Sequence, residues 1–524
     1  MLSQEPRGDP VRHWTRTRGR CEVTMSVALL VLLLSSDGAT GQALAEVRGW
    51  THRNQATVLR EFAELLAIPN VASDTPNIER NARHVASLFE RRGLAASLLE
   101  GAGGPPAVYA ELRVPGATRT LGVYVHYDGQ PVEAEKWASD PWTPVLRDGP
   151  VEADARQRPL EPPFGPDWRI YARGASDDKA PIVAWLAALD ALEASGLRPR
   201  VNLKFLLEGE EEAGSSHLPA LMSREKTRLQ ADLWLLCDGP VHPSRRAQLF
   251  FGARGVMGLE LTVYGPLRAL HSGHYGNWAP NPAAMLARLM ASLHDDAGRI
   301  RIAGFYDDVR PLSEGETAAI LELPDTDAAL LDGLALARAE SGARLAETVL
   351  QPALNLRGLE AGAVAEKAQN AIPTEAKASI DFRLVPDQRP ERIRAQVEAH
   401  LRQEGYLVVH GEPDAATRRA HPKLVYLDWE PGYPAARTPL ELPAAQGVLR
   451  AVAAALGEWP LAVPTLGGSV PMYLFGEVLG TPVIGLPIAN HDNNQHAANE
   501  NIRLKNLWDG IASYASLLLE PGIP

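Results

Sequence analysis

LGVYVHYD, residues 121–128, is the stretch on which the reading of the fold turns. Leu121 to Val125 is a short apolar run, of the length expected for a strand buried on both faces, and His126 and Asp128 follow it at once. Three more runs share this build. Val201 to Leu207 leads into Glu208-Gly209-Glu210-Glu211-Glu212-Ala213-Gly214-Ser215, Leu233 to Cys237 leads into Asp238, and Pro482 to Leu486 precedes His491 and His496. Pro181 to Ala194 carries Ile182, Val183, Trp185, Leu186, Leu189 and Leu192 at helical spacing, and Gly196 and Pro199 close it. Strands alternating with amphipathic helices read as an α/β domain with a mainly parallel central sheet. Sites in such sheets form beyond the carboxyl ends of the strands, so parallel order would bring these polar groups to one rim.

The pattern changes between residues 249 and 410. Leu259, Leu261 and Val263 alternate with polar residues, as do Ala376, Ala378, Ile380 and Phe382. Helical patterns follow each: Met285, Leu286, Leu289, Met290 and Leu293, then Ile393, Val397 and Leu401. One covered and one open face mark a small α+β domain inserted into the larger one. The expected division is residues 46–248 and 411–524 for the main domain and 249–410 for the insert, with the proline-rich stretch Gly411 to Pro443 as the return.

The chain has 524 residues, too many for one compact domain, with 45% apolar and 22% charged content. Its net charge of −12 and the lack of a basic run in the folded part exclude nucleic acid as the partner. Residues 1–45 read as an export signal: Arg16, Arg18 and Arg20 precede the apolar stretch Val27 to Leu34, and Ala43-Leu44-Ala45 has the form of a cleavage site. The stretch is far short of the roughly 20 residues that a membrane span needs. The expectation is therefore a periplasmic or secreted protein without a stable membrane span. Cleavage there would leave Cys237 alone, so no internal disulfide forms.

Taken singly, each polar group has an ordinary reading: Asp177-Asp178 as a helix cap, Glu210 to Glu212 as a solvated helix start, Asp238 as a turn residue. Taken together, a cluster of carboxylates in one cleft needs cations to stay ionised. Histidines joined to carboxylates suit zinc. A carboxylate shared by two ions gives a site about 4 Å across, and one further carboxylate is left to take a proton from water.

The order His126-x-Asp128, Gly174-x-x-Asp177-Asp178-Lys179, Glu211-Glu212-x-Gly214-Ser215, Asp238 and a late His496 resembles the di-zinc exopeptidases of the carnosinase and carboxypeptidase type. Acetylornithine deacetylase and succinyl-diaminopimelate desuccinylase are relatives of that family, and the resemblance extends from about Glu46 to the end. It implies two Zn2+ per subunit, with Mn2+ or Co2+ as alternatives. Asp177 would bridge them, His126 and Asp238 would complete one site, and Glu212 and His496 the other. Asp128 would orient His126, Glu211 would be the general base, and the Asp177–Asp178 peptide would be cis.

The resemblance further implies a homodimer, in which the inserted domain acts as a lid and His271, in Leu270-His271-Ser272-Gly273, reaches the neighbouring subunit's site. Asn281 belongs to the same loop. Arg383 would grip the substrate's terminal carboxylate beside Gly468 and Ser469 of the Gly-Gly-Ser turn. Thr465 and Leu466 depart from the family pattern, in which an arginine often stands two residues before that turn. His491 remains an alternative to His496, which the following Asn499-Glu500 favours. The expected function is hydrolysis of dipeptides or small peptides, with N-acyl-amino-acid deacylation as the alternative and an inactive binding homologue as the reading from a different class.

Overall fold

The run LGVYVH forms the strand Thr120–His126 inside an eight-stranded sheet. The computed structural model describes residues 27–100 and 103–520, with side chains from residue 40 onward. Asn202–Glu208 and Leu233–Leu236 flank this strand, both parallel to it, and Val483–Gly485 continues in parallel beyond Leu233–Leu236. The four apolar runs are therefore adjacent and co-directional. Ala95–Leu99 and Ala107–Leu112 extend one edge, and Gln248–Phe250 and Leu461–Val463 the other, each through an antiparallel join.

Burial on both faces explains why Leu121 to Val125, Leu233 to Cys237 and Pro482 to Leu486 lack polar alternation, whereas Asn202 and Lys204 leave one face of Val201 to Leu207 half-buried. Leu121, Val123 and Val125 enter the core under the helices Lys179–Ala194 and Leu504–Leu519, whereas Tyr124 packs with Trp234 and Phe475 on the other face. Trp185 lies flat on Tyr514, with ring centroids 4.2 Å apart. Gly122 interrupts its run because Trp234 crosses over it, and a Cβ there would lie 2.3 Å from the indole.

A second sheet of five strands has the order Ala353–Glu360, Glu375–Leu384, Gly255–Tyr264, Leu424–Trp429, Leu407–Val409. Leu259, Leu261, Val263, Ala376, Ala378, Ile380 and Phe382 are buried in its core, which the helices Pro282–Leu293 and Pro390–Gln403 complete, as the alternation requires. The insert's limits differ from the expected 249–410. Gln248–Phe250 belongs to the large sheet, and Leu424–Trp429 pairs with Leu259 to Val263 in the small one. The prolines around it mask this strand, whose place is set by pairing rather than by local composition. The two units meet where Gly252 and Ala253 pair with Arg437 and Ala436, and Val256 bridges to Tyr433.

Residues 1–26 of the expected export signal lie outside the described residues. Val27 opens a helix that runs to Leu66 through Ala43-Leu44-Ala45, and Ala43 and Leu44 are buried. Among the described residues, no helix is long and apolar enough to cross a membrane. Cys237 is buried and free.

Candidate metal centre

His126 ends its strand, and its imidazole is fully buried. Nδ1 faces Asp128, 3.4 Å from the carboxylate and 3.2 Å from the backbone carbonyl. Nε2 lies 2.9 Å from Asp177 Oδ1. Asp128 does more than orient a ring: its two oxygens accept the backbone N–H groups of Glu211 and Glu212, each at 3.1 Å. The turn Glu211–Ala213 after the second parallel strand is thereby tied to the loop after the first.

Asp177, on the loop before the helix Lys179–Ala194, is shared between two groups. Its Oδ1 meets His126, and its Oδ2 lies 3.1 Å from His496 Nε2. Glu212 Oε2 is also 3.1 Å from His496 Nε2 and accepts a 2.7 Å hydrogen bond from Gln130. The donors fall into two triads, His126–Glu211–Asp238 and Asp177–Glu212–His496, with the ligand atoms of each within 4.8 Å of one another. The Asp177–Asp178 peptide is cis. His496 is the histidine that joins the cluster, whereas His491 stands beside Asp492.

Electrostatics mark the cluster as a seat for cations. Burial pushes Glu211 well above the ordinary carboxylate range, and burial together with the Asp177 charge raises Asp238 to about 7. The carboxylates of Asp177 and Glu212, each 3.1 Å from its Nε2, raise His496 to about 10. Burial opposes a charged His126, yet hydrogen bonds to Asp128 and Asp177 hold it well above its ordinary value. Glu211 and Asp238 thus hold protons more tightly than exposed carboxyls because they are buried, whereas Asp177, facing two imidazoles, is shifted down. Glu212 Oε1 is buried with no hydrogen-bond donor, and Asp177 Oδ2 faces His496 without hydrogen-bond alignment. Imidazole nitrogens and carboxylate oxygens with orphaned acceptors fit divalent metal ions of the zinc type.

Beside this centre, Arg383 donates to Ser469 Oγ at 2.8 Å and to Asp381 at 3.1 Å, so these substrate-site candidates do meet. Gly468 contributes its carbonyl to the N–H of Arg254, 3.2 Å away. His271 is exposed, and its contacts are Gly273 N and the His274 ring, not the cluster. Asn281 caps the helix Pro282–Leu293: its Oδ1 accepts Ala283 N at 2.9 Å, the ordinary task of Asn at a helix start.

Three neighbours escaped the sequence reading. Gln130 grips Glu212, and its place four residues past His126 was a usable signal. Arg254 is buried at the junction of the units, its pKa lowered to about 10 by burial and by Arg383. Tyr433 stacks on Tyr473 with centroids 5.0 Å apart, and bridges to Val256, the cross-strand partner of Arg383. Burial and the charge of Glu211 raise its phenol. Neither Arg254 nor Tyr433 has a local signal, because pairing across the junction puts them there.

The parallel sheet, the inserted α+β unit and the two triads on one rim define an α/β metallohydrolase of the zinc-exopeptidase type. The sequence model of Peptidase family M20/M25/M40 matches residues 122–520. The chain belongs to that family, and it is a hydrolase of peptide bonds. Human Beta-Ala-His dipeptidase is 26% identical, over 96% of this chain and 98% of the relative. A Cys-Gly metallodipeptidase of Candida albicans is 26% identical over 88% of this chain and 93% of its own length. The crystal structure of an M20 family metallo-carboxypeptidase from Sulfolobus solfataricus superposes with a TM-score of 0.74 at 28% identity, covering 89% of this chain and 99% of that one.

Proposed function

We propose that the protein is a di-zinc dipeptidase or carboxypeptidase acting on small peptides. One observation carries the reading: the two oxygens of Asp177 face two imidazoles, His126 at 2.9 Å and His496 at 3.1 Å, so one carboxylate serves both triads. His126 and Asp238 would hold one ion, Glu212 and His496 the other, with Asp177 between. Zinc held by these residues would offset their negative charge and supply Lewis-acid activation of water and carbonyl, and Mn2+ or Co2+ would suit the same donors.

The chain's own groups do the rest. Asp128 holds the His126 ring and the Glu211–Glu212 turn in place. Glu211 takes the proton of the attacking water on its carboxylate and returns it to the departing amine. Arg383, aligned by Asp381 and Ser469, binds the terminal carboxylate of the peptide through its planar fork. The dipeptidase names carried by relatives that span nearly the whole chain support this substrate class.

The same reading takes the insert as a lid in a homodimer, with His271 serving the neighbouring subunit. Support comes from the exposure of His271, and from the outer strand Ala353–Glu360, which leaves Leu356 and Leu359 open to solvent. It also takes the protein as exported, from the charged and apolar leader. N-acyl-amino-acid deacylation is the second reading, favoured by the apolar Leu466 that packs beside Gly239, next to Asp238.

The test is zinc-loaded hydrolysis of dipeptides, longer peptides with free carboxyl ends and N-acetyl amino acids, with chelator controls. Chelator-sensitive cleavage of dipeptides supports the proposal. Cleavage confined to the acylated compounds replaces it with the deacylase. No turnover despite two bound ions overturns both.

A further inference from the structure

Glu500 lies four residues beyond His496 and has no exposed surface. Its carboxylate accepts five hydrogen bonds from one short loop. Oε1 takes Ser176 N at 2.8 Å, Ser176 Oγ at 3.0 Å and Asp177 N at 3.0 Å. Oε2 takes Gly174 N at 2.9 Å and Arg173 Nη1 at 2.8 Å. The loop that ends in the shared Asp177 is thus wrapped around one side chain.

The other end of the connection is the His496 loop. Asn501–Arg503 pairs with Arg169–Tyr171, which anchors Glu500 next to Ala172. From that anchor the chain runs back through Asn499, His496 and Asn494, all at positive φ of 57° to 63°. His496 itself is 55% exposed, so burial does not hold it. Arg173, while paired to Glu500, also donates to Ala497 O at 3.3 Å, one residue from His496.

We propose that Glu500 is a positioning residue that sets the two metal triads in register, fixing the backbone of Asp177 directly and the His496 loop through Arg173. This rests on the two-metal reading above. An amide cannot replace the carboxylate, because either orientation of a glutamine turns its NH2 toward at least one N–H donor already directed at that position. A buried ion pair alone is weak support for anything beyond packing. What distinguishes Glu500 is that the loops it joins carry the ligands, and partners of this kind alter metal affinity about 10–100-fold.

The experiment is titration of the metal-free full-length protein with Co2+, following stoichiometry, Kd and the visible d–d spectrum, in wild type, Glu500→Gln and Ser176→Ala. Circular dichroism and the melting of the metal-free proteins are followed in parallel. The expected result is two ions in wild type. In Glu500→Gln, folded by circular dichroism, at least one ion should bind about 10–100-fold more weakly with an altered d–d spectrum. Ser176→Ala removes one of the five bonds and should shift Kd several-fold in the same direction, which keeps the test valid if Glu500→Gln does not fold. Two ions in wild type, with unchanged Kd and spectrum in the folded variants, overturns the clamp alone. Fewer than two ions in wild type overturns the two-metal function, and the clamp with it.

Discussion

Replacing Glu211 by Gln removes a proton acceptor while keeping the side chain's volume. The backbone is held independently, because the Glu211 N–H donates to Asp128 at 3.1 Å whatever the side chain is. Burial pushes this carboxyl well above its ordinary range in the metal-free protein. A positioned base contributes about 100- to 10,000-fold, equivalent to about 2.7–5.5 kcal/mol of barrier. Glu211 moves a proton twice, from water and then to the amine, so the expected loss in kcat lies toward 10,000-fold, on the order of 5 kcal/mol. KM should stay within a few-fold, since Arg383 and Ser469 are untouched. Glu211 also has an oxygen within 4.8 Å of the ligand atoms of His126 and Asp238, so bound zinc must be counted in the same samples. The assay is dipeptide hydrolysis by zinc-loaded protein, with zinc measured by atomic absorption. A kcat within tenfold of wild type, at full zinc occupancy, refutes the base. A variant that loses one zinc moves Glu211 into the ligand set.

Asp128→Asn sets an amide NH2 against one of the two N–H donors of the Glu211–Glu212 turn. The loss of one bond to a charged acceptor costs about 1.5–3 kcal/mol by urea unfolding, and zinc affinity should fall about 10–100-fold; unchanged affinity would count against its bracing role. Arg383→Ala should raise KM about 10–100-fold for peptides with a free carboxyl end and leave amidated peptides nearly unaffected, so equal effects on both would remove Arg383 from carboxylate binding. Glu208, buried against Tyr124, is raised by burial from 4.5 to about 8. A carboxyl raised by folding contributes stability that is present below its unfolded pKa and is lost as pH rises through the folded value. Glu208→Gln should therefore gain on wild type between pH 5 and 9 in urea midpoints, and a constant difference across that range would show Glu208 ionised without penalty.

Much of the fold was legible because burial leaves a compositional trace. The runs Leu121 to Val125, Leu233 to Cys237 and Pro482 to Leu486 are apolar on both faces, as central parallel strands are, and Val201 to Leu207 departs from this only at Asn202 and Lys204. Leu259, Leu261 and Val263 alternate because their sheet has one open face. The metal candidates stood out jointly: each has an ordinary use alone, but His126, Glu211, Glu212 and Asp238 all follow strands of one expected sheet. Leu424–Trp429 was missed, since Pro422 and Pro431 on either side of it make the stretch read as a connection.

The sequence by itself determined which residues are apolar at which period, and so the parallel sheet, the alternating insert and the order of the acidic and histidine motifs along the chain. It also carried the chemistry of each ligand, because an imidazole or a carboxylate has the same donor atoms wherever it lies. Only the tertiary structure decided the partnerships: Asp177 shared between His126 and His496, Asp128 gripping the Glu211–Glu212 turn, Arg383 against Ser469, Glu500 inside the Asp177 loop. Residues 51 to over 300 positions apart in the chain make these contacts. Local periodicity holds no record of such distances, and a hydrogen bond, effective only within about 3 Å, forms where packing of the whole chain delivers both partners.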